Sequence, residues 1–427
     1  MSDLAILGGR RTIDDSGRHY VWPRVTDELI RVVIRQLHTS ISIYDKSGVI
    51  EEFEKAFAHY HHSRKYALTT NSGTPALYSI YVGLNLKPGD EVICPVYTFF
   101  ATVSPLLQTG AIPVFCDCDE SGNIDPSKIE PLITSRTRAV VVTHLWGYPC
   151  DMESISAICK KHNLRLIEDC SHAHGARIHG RPVGTFGDAA AWSLQAQKTI
   201  TGGEGGIMLT DDEEIYYRAL LLGQYNRRCF QEIPDTYHLS DFRMTGFGLK
   251  LRAHPLAIAI AHEQFQHLDD WIACRQSYAD EMNSAFRQFS FLKIPQPKAG
   301  FQHSWYAYPI EYDETCSNGV DRQLFLKAIR AEGLVEVDIP QSTCPLHSLP
   351  IFTKTREILP HFYSKKNLQY CQSFPNADRV WSRTLKLPVW AYPDEKQIVS
   401  LYIEGICKVA KVVNDNPELL LRVKSDS

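Results

Sequence analysis

Between about residues 48 and 265 the chain alternates short apolar runs with longer amphipathic segments, and no other feature constrains its fold as strongly. Glu91–Pro95 and Ile112–Cys118 read as short strands, each preceded by a turn (Lys87-Pro88-Gly89-Asp90, and Gly110). Ala139–His144 is a β-branched run suited to a strand buried on both faces. Arg165–Asp169, Ala189–Leu194 and Gly206–Thr210 read as three more strands. Ile50, Phe53 and Phe57 recur at helical spacing and predict a helix over Val49–Tyr60, and Met152–His162 reads as another. Strands separated by helices of about 10–15 residues imply an α/β unit, a mostly parallel sheet sandwiched by helices.

Past about residue 255 the pattern changes. Pro255–Trp271 reads as a long helix that Ile272–Phe289 continues. A strand at Trp305–Ile310 and helices at Asp321–Glu332 and Lys396–Val412 follow, as in a smaller α+β domain. The expected organisation is an N-terminal segment over 1–45, a large domain over 46–265 and a smaller C-terminal domain over 266–427.

Composition narrows the function. A chain of 427 residues can bury two cores, and a formal net charge of −4 gives no electrostatic case for binding nucleic acid or an anionic membrane. No apolar run approaches the ~18–20 residues of a membrane span. Met1-Ser2-Asp3-Leu4 does not open a secretory signal, so the cytoplasm is the expected compartment. The 12 cysteines, spread from Cys94 to Cys407 without a C-x-x-C, are expected to be reduced and mostly buried.

In open sheets of this kind, ligands sit beyond the carboxyl ends of the strands, and three features fall there. Asn71-Ser72-Gly73-Thr74-Pro75 opens a helix with a small polar turn, which suits phosphate on free backbone N–H groups or, equally, a plain helix cap by Ser72 or Thr74. Ile167-Glu168-Asp169 ends a strand with a carboxylate placed to pair with a cationic ring nitrogen. Asp169 could instead cap a turn, and Cys170, His172 and His174 could hold a metal, although a fourth ligand is not evident. The third feature is Lys198, between the strand ending near Leu194 and the turn Gly202-Gly203-Glu204-Gly205-Gly206. A lysine in a low-dielectric crevice loses pKa and becomes a nucleophilic amine, whereas on the surface it would only precede a hairpin.

These pieces, in this order, resemble the DegT/DnrJ/EryC1/StrS sugar aminotransferases, of fold type I within the aspartate aminotransferase superfamily. The resemblance rests on Ser72-Gly73-Thr74, Pro88-Gly89-Asp90-Glu91-Val92, Tyr97 to Thr102 and His144-Leu145-Trp146-Gly147. It continues through Asp151-Met152, Glu168 to Gly175, Ser193 to Lys198, Gly203 to Gly206, Pro345-Leu346-His347 and Leu387-Pro388, and so covers nearly the whole chain past residue 45. It implies pyridoxal 5′-phosphate as cofactor, held by Lys198 as a Schiff base. Asp169 would then pair with the pyridine nitrogen, Phe99 would stack on the ring, and His172 would stand near the ring hydroxyl. Ser72, Gly73, Thr74 and Ser193 would hold the phosphate. Many relatives send an Asn across a dimer to the partner's phosphate; the nearest match here is Lys250, which could serve as a point charge or point away.

Within that family, His at the Lys198 position accompanies removal of a hydroxyl and Lys accompanies amino transfer. The resemblance therefore implies an aminotransferase that takes nitrogen from an amino acid, Glu or Gln, and passes it to a keto-sugar, nucleotide-linked, or to a keto-cyclitol. A homodimer is expected. Lyase or dehydratase chemistry on the same fold, and a regulatory binder without catalysis, are the competing readings.

Overall fold

A computed structural model of the protein describes residues 4–15, 17–363, 368 and 373–425. Seven strands form its main sheet: β1 Tyr66–Thr70, β2 Glu91–Pro95, β3 Ile112–Cys116, β4 Thr137–Thr143, β5 Arg165–Asp169, β6 Ala189–Ser193 and β7 Gly206–Thr210. Their order is β1-β7-β6-β5-β4-β2-β3. All contacts from β6 to β3 are parallel, and β7 runs antiparallel to both neighbours, β1 and β6.

Successive side chains of a strand point to opposite faces, so a sheet covered on both sides needs strands that are apolar throughout. In β4, Ala139 and Val141 enter one core while Val140 and Val142 enter another. In β6, Ala189 and Ala191 face one way, Ala190 and Trp192 the other. Helices α1 Asp27–Thr39, α2 Gly48–Tyr60, α3 Gly73–Gly83, α4 Met152–Lys161, α5 Glu213–Gly223, α6 Asn226–Glu232, α7 Pro255–Phe265 and α8 Leu268–Phe286 follow in chain order. α3 and α5 cover the first face with Leu77, Ile80, Tyr81, Ile215 and Leu220. α2 and α7 cover the second with Phe53, Phe57, Ile258 and Phe265, and α4 adds Met152, Ile155 and Cys159.

A separate core lies between α8, the helices Arg322–Ala331 and Lys396–Asp415, and a small antiparallel sheet of Leu292–Lys293, Tyr308–Tyr312 and Thr384–Leu387. Leu4 and Ile13 join this core, so the start of the chain packs on its end. The stretch after Pro340 crosses back: Thr343–Pro345 pairs with Tyr97–Phe99, and Phe352, Leu359 and Phe374 enter the core of the main sheet.

Two elements differ from the sequence expectation. The helix expected over Pro255–Trp271 is broken at Gln266–His267, where the last turn of α7 tightens and His267 stands at the N-cap of α8. The strand expected from Trp305 begins only at Tyr308, because Trp305 has a left-handed backbone (φ 53°) that no strand accommodates. The cysteines described are unbonded, seven of them buried, and Cys371 lies outside the described residues. Among the described residues no helix is long and apolar enough to cross a membrane.

Candidate active site

A cleft of about 470 Å³ opens beyond the carboxyl ends of β4, β5 and β6, and Ser72, Gly73, Thr74, Phe99, Asp169, His172, Ser193 and Lys198 are among the residues that line it. A larger depression of about 1190 Å³ lies at the opposite end of the strands, where Arg165 is already paired with Asp188 and Asp212. The smaller one gathers the residues expected from the sequence to carry chemistry.

The turn after β1 starts α3 without a side-chain cap, as α2, α6 and α8 also start, but here the uncapped turn lines the cleft. α1, α4 and α5 are capped by the side chains of Thr26, Asp151 and Asp212, whereas Ser72 stands at the N-cap of α3 without a capping bond. The first N–H groups of α3 thus face the cleft, where an anion can take them. Gly73 is required there: a Cβ would come within 2.7 Å of Ser193 Cβ and 2.9 Å of its Cα. Gly206 meets the same turn from β7, with a built Cβ only 2.3 Å from the Ser72 carbonyl oxygen. The glycines bring β1, β6 and β7 close enough to place Ser193 beside Ser72-Gly73-Thr74.

Asp169 ends β5 and is 4% exposed. Its carboxylate accepts from the Thr102 hydroxyl (2.7 Å) and from the Ser171 N–H (3.0 Å), and Thr102 lies in turn against Thr98 (3.0 Å) and Thr143 (3.2 Å). The preceding Glu168 points the other way. It accepts N–H bonds from Gly184, Phe186 and Gly187, and His144 donates to it through Nε2, because His144 Nδ1 already accepts from Cys150 N–H. Burial pushes the Glu168 pKa up, and these hydrogen bonds more than reverse that, leaving it below the ordinary value.

Lys198 carries the amine of the site. Its N–H donates to Gln195 O (2.8 Å), its carbonyl accepts from Trp22 Nε1 (2.8 Å), and its Nζ lies 4.6 Å from the centre of the Tyr306 ring. Loss of water around the ammonium lowers its pKa to about 8, against the opposing pull of Asp169. That is the range of a usable amine nucleophile and proton carrier.

His172 stacks on Tyr306 at 4.0 Å with near-parallel planes, and Trp146 lies beyond at 5.7 Å. Burial holds its pKa well below the ordinary value, and the charges of Lys198, His174 and Lys386 add to the effect. His172 is therefore neutral, and its Nδ1 is buried without a partner. Trp146 (φ 56°) and Trp305 (φ 53°) both hold left-handed backbones, and their segments are joined by Ser304 N–H to Gly147 O (3.0 Å) and Tyr306 N–H to Trp146 O (3.1 Å). Bulky residues in this region mark stored strain, which collects at functional sites.

Of the residues expected from the sequence, only Lys250 is not brought here: it is exposed, its Nζ 5.5 Å from the Tyr225 ring centre. The metal alternative does not assemble. Among the described residues the group whose ligand atoms converge is His144, Glu168 and Cys170, and the hydrogen bonds above already engage its carboxylate. Sequence reasoning missed Thr102, Tyr306 and Lys386 as members of the site. Thr102 stands inside a quoted motif, so its place was visible and its partner was not; Tyr306, which packs on the main-sheet core, and Lys386, in the strand Thr384–Leu387, carried no local signal.

A phosphorylated, ring-bearing aldehyde fits this arrangement. The open start of α3 suits its phosphate, the buried Asp169 its ring cation, the unpartnered Nδ1 of His172 a ring oxygen, and Lys198 its carbonyl carbon.

Comparison with known proteins points the same way. A sequence model of the DegT/DnrJ/EryC1/StrS aminotransferase family matches residues 26–401. GDP-perosamine synthase of Escherichia coli O157:H7 is 31% identical over 358 residues, covering 84% of this chain and 89% of that protein. A putative L-glutamine:3-amino-2,3-dideoxy-scyllo-inosose aminotransferase of Micromonospora echinospora is 33% identical over 384 residues, covering 88% and 89%. The solved structure of an aminotransferase from Psychrobacter cryohalolentis superposes with a TM-score of 0.81 at 27% identity, covering 93% of this chain and 100% of that one.

Proposed function

The chain belongs to the DegT/DnrJ/EryC1/StrS aminotransferase family, and from that footing we propose that it uses pyridoxal 5′-phosphate to move an amino group from L-glutamate or L-glutamine to a keto-sugar, nucleotide-linked, working in the cytoplasm as a homodimer. The observation that carries this reading is the convergence of Lys198, Asp169 and the uncapped start of α3 on one cleft.

The cofactor, when bound, supplies an aldehyde for the donor's amine and a cationic ring that draws electrons from the carbon losing its proton. The chain's own groups do the rest. The Lys198 amine, its pKa lowered to about 8 by burial, takes and returns the proton at the reacting carbon. Asp169, fixed by Thr102 and Ser171, would present its carboxylate to the ring's N–H. Ser72, Gly73, Thr74 and Ser193 hold the phosphate, Phe99 covers a ring face, and neutral His172 meets the ring oxygen. Gln195, Gln341 and Lys386 line the remaining space with polar groups suited to hydroxyls and to an anionic substituent.

The homodimer is supported by apolar surface. On α1, Ile30, Ile34 and Leu37 are 46%, 48% and 51% exposed in a helical stripe that Ile41 extends, a face that a partner subunit can cover. Phe230, Phe242, Met244 and Leu249 are also exposed, in the stretch that ends at Lys250, which suits a Lys250 that serves the partner's phosphate. A keto-cyclitol acceptor is the second reading, favoured by the 33% identity to the scyllo-inosose enzyme.

The test is the absorption spectrum of protein loaded with the cofactor, as wild type and as Lys198→Ala. A visible band in wild type, absent in the variant and discharged by L-glutamate or L-glutamine, supports the reading. A protein that takes up no pyridoxal 5′-phosphate in excess overturns it. Product mass with a nucleotide keto-sugar against a keto-cyclitol then decides the acceptor.

A further inference from the structure

Lys198 stands before a glycine-dense stretch, and glycines leave a backbone free to wander. A lysine side chain adds its own rotamer freedom, so the amine is only as well placed as its Cα. Two anchors fix the far side of the loop: Thr201 N–H donates to Gln264 Oε1 (3.1 Å) and Gly202 N–H to Leu194 O (3.0 Å). The carbonyl of Lys198 and the side chain of Thr199 are held from elsewhere in the chain.

The first outside group is Trp22, whose indole N–H donates to Lys198 O at 2.8 Å. Its ring is fixed edge-on to Trp271 (4.9 Å between centres, 77°) and parallel to Tyr20 (6.4 Å, 10°). The second is Arg275 of α8, 1% exposed, with its guanidinium carbon 4.7 Å from the Trp22 ring centre. Nη1 donates to Thr199 Oγ1 (3.2 Å) and to Trp305 O (3.0 Å), and Nη2 to the Tyr20 hydroxyl (3.4 Å).

Arg275 is unusual in what it lacks. Among the described residues no carboxylate stands within ion-pair distance of it, and its buried Nε has no partner. A buried cation without a counter-charge is expensive, and hydrophobic replacements of buried charges are often as stable or more so. Fold stability alone therefore does not account for it. What it does achieve is geometric. One nitrogen ties the neighbour of Lys198 to the neighbour of Tyr306, and Tyr306 is the ring over which the Lys198 amine lies. Trp305, whose carbonyl it holds, is one of the two site tryptophans with a left-handed backbone.

Resting on Lys198 as the reactive amine, we infer that Trp22 and Arg275 are positioning residues, the N-terminal segment and α8 acting together to set the Lys198 amine against Tyr306. The groups that face this amine are Asp169 from β5, His172 and His174 from the loop that follows, and Tyr306; Arg275 and Trp22 act on it through the backbone. Loosening the clamp lets the ammonium find water, and the amine drifts towards ordinary lysine behaviour.

The test uses Trp22→Phe, which keeps an aromatic ring for Arg275 and Trp271 and removes the N–H together with part of the indole. Arg275→Lys keeps a charge, yet one ammonium cannot reproduce the planar fork that spans Thr199 and Trp305. Either variant that folds decides the matter. In protein free of cofactor, trace acetylation across a pH series with peptide mass spectrometry reads the titration of Lys198 directly. The clamp predicts a midpoint moved up from the wild-type value, and, in loaded enzyme, a donor half-reaction slowed about tenfold in kcat, with KM within about twofold, the pattern of a lost transition-state alignment. Wild-type labelling and wild-type kcat in a folded variant overturn the inference, and so does a rise in KM alone. If Lys198 of the wild type labels like an exposed lysine, the reading of Lys198 falls first and the clamp with it.

Discussion

The Thr102 hydroxyl donates to Asp169 Oδ2 across 2.7 Å, so a carboxylate at the end of β5 is held by a side chain that follows β2. Both residues are buried, Thr102 at 1% and Asp169 at 4% exposure. Removing one partner of a buried pair strands the other at a cost of about 1–3 kcal/mol. Thr102→Val is isosteric and should lower unfolding free energy by that amount in urea titration. It should also cut kcat/KM by about tenfold, equivalent to about 1.4 kcal/mol of the barrier. Thr102→Ser, which keeps the hydroxyl, should recover most of the activity.

Gly73→Ala should act on cofactor phosphate rather than on catalysis. The new Cβ meets the Cα and Cβ of Ser193 at 2.9 and 2.7 Å, contacts that backbone cannot yield cheaply. β6 must move away from α3, opening the anion cradle. Fluorescence titration should show pyridoxal 5′-phosphate binding weakened by about tenfold or more, with the affinity for dephosphorylated pyridoxal little changed.

Acid should destabilise the protein early. Burial lowers the pKa of His61, His174 and His303 to about 3, from an ordinary 6.5. Folded pKa values below the unfolded ones mean that the unfolded chain binds more protons between those limits. The stability of the neutral rings is complete above pH 6.5 and is lost as pH falls towards 3. Each contributes at most about 1.4 kcal/mol per pH unit over that window. Melting temperatures measured from pH 7 down to 4.5 should fall steeply, and His61→Gln should flatten the slope without steepening it anywhere.

Lys386→Met should separate the two substrates. Lys386 lines the cleft, and its charge reaches His172. If it receives the donor's carboxylate, KM for L-glutamate should rise about tenfold in the donor half-reaction measured alone. If it receives a phosphate of the acceptor, that half-reaction stays at wild-type values and the acceptor KM rises instead. Unchanged KM values for both would remove Lys386 from substrate binding.

Strand limits were legible where local signals agreed. Arg165–Asp169 and Gly206–Thr210 are bounded by turns and apolar within, and the structure has them at those limits. β1 was missed, since Tyr66-Ala67-Leu68-Thr69-Thr70 is short and ambiguous, and it becomes a strand only because β7 pairs with it. In the site, residues at strand ends could be read, because the topology of open sheets places ligands there. Tyr306 and Trp22 could not, since each reaches Lys198 over a distance in sequence that no motif records.

The placement of β7 has a consequence for the order in which the protein is made. Among the described residues β1 has β7 as its only neighbour in the main sheet, and β7 runs back between β1 and β6. During synthesis, which proceeds from the N-terminus, Tyr66–Thr70 emerges early and waits without a partner. The turn at Ser72-Gly73-Thr74 and its companion Ser193 come together only when Gly206–Thr210 has left the ribosome and slotted in. A nascent chain stopped short of Gly206 carries Ser72, Gly73, Thr74 and Ser193 but lacks the strand that brings them together.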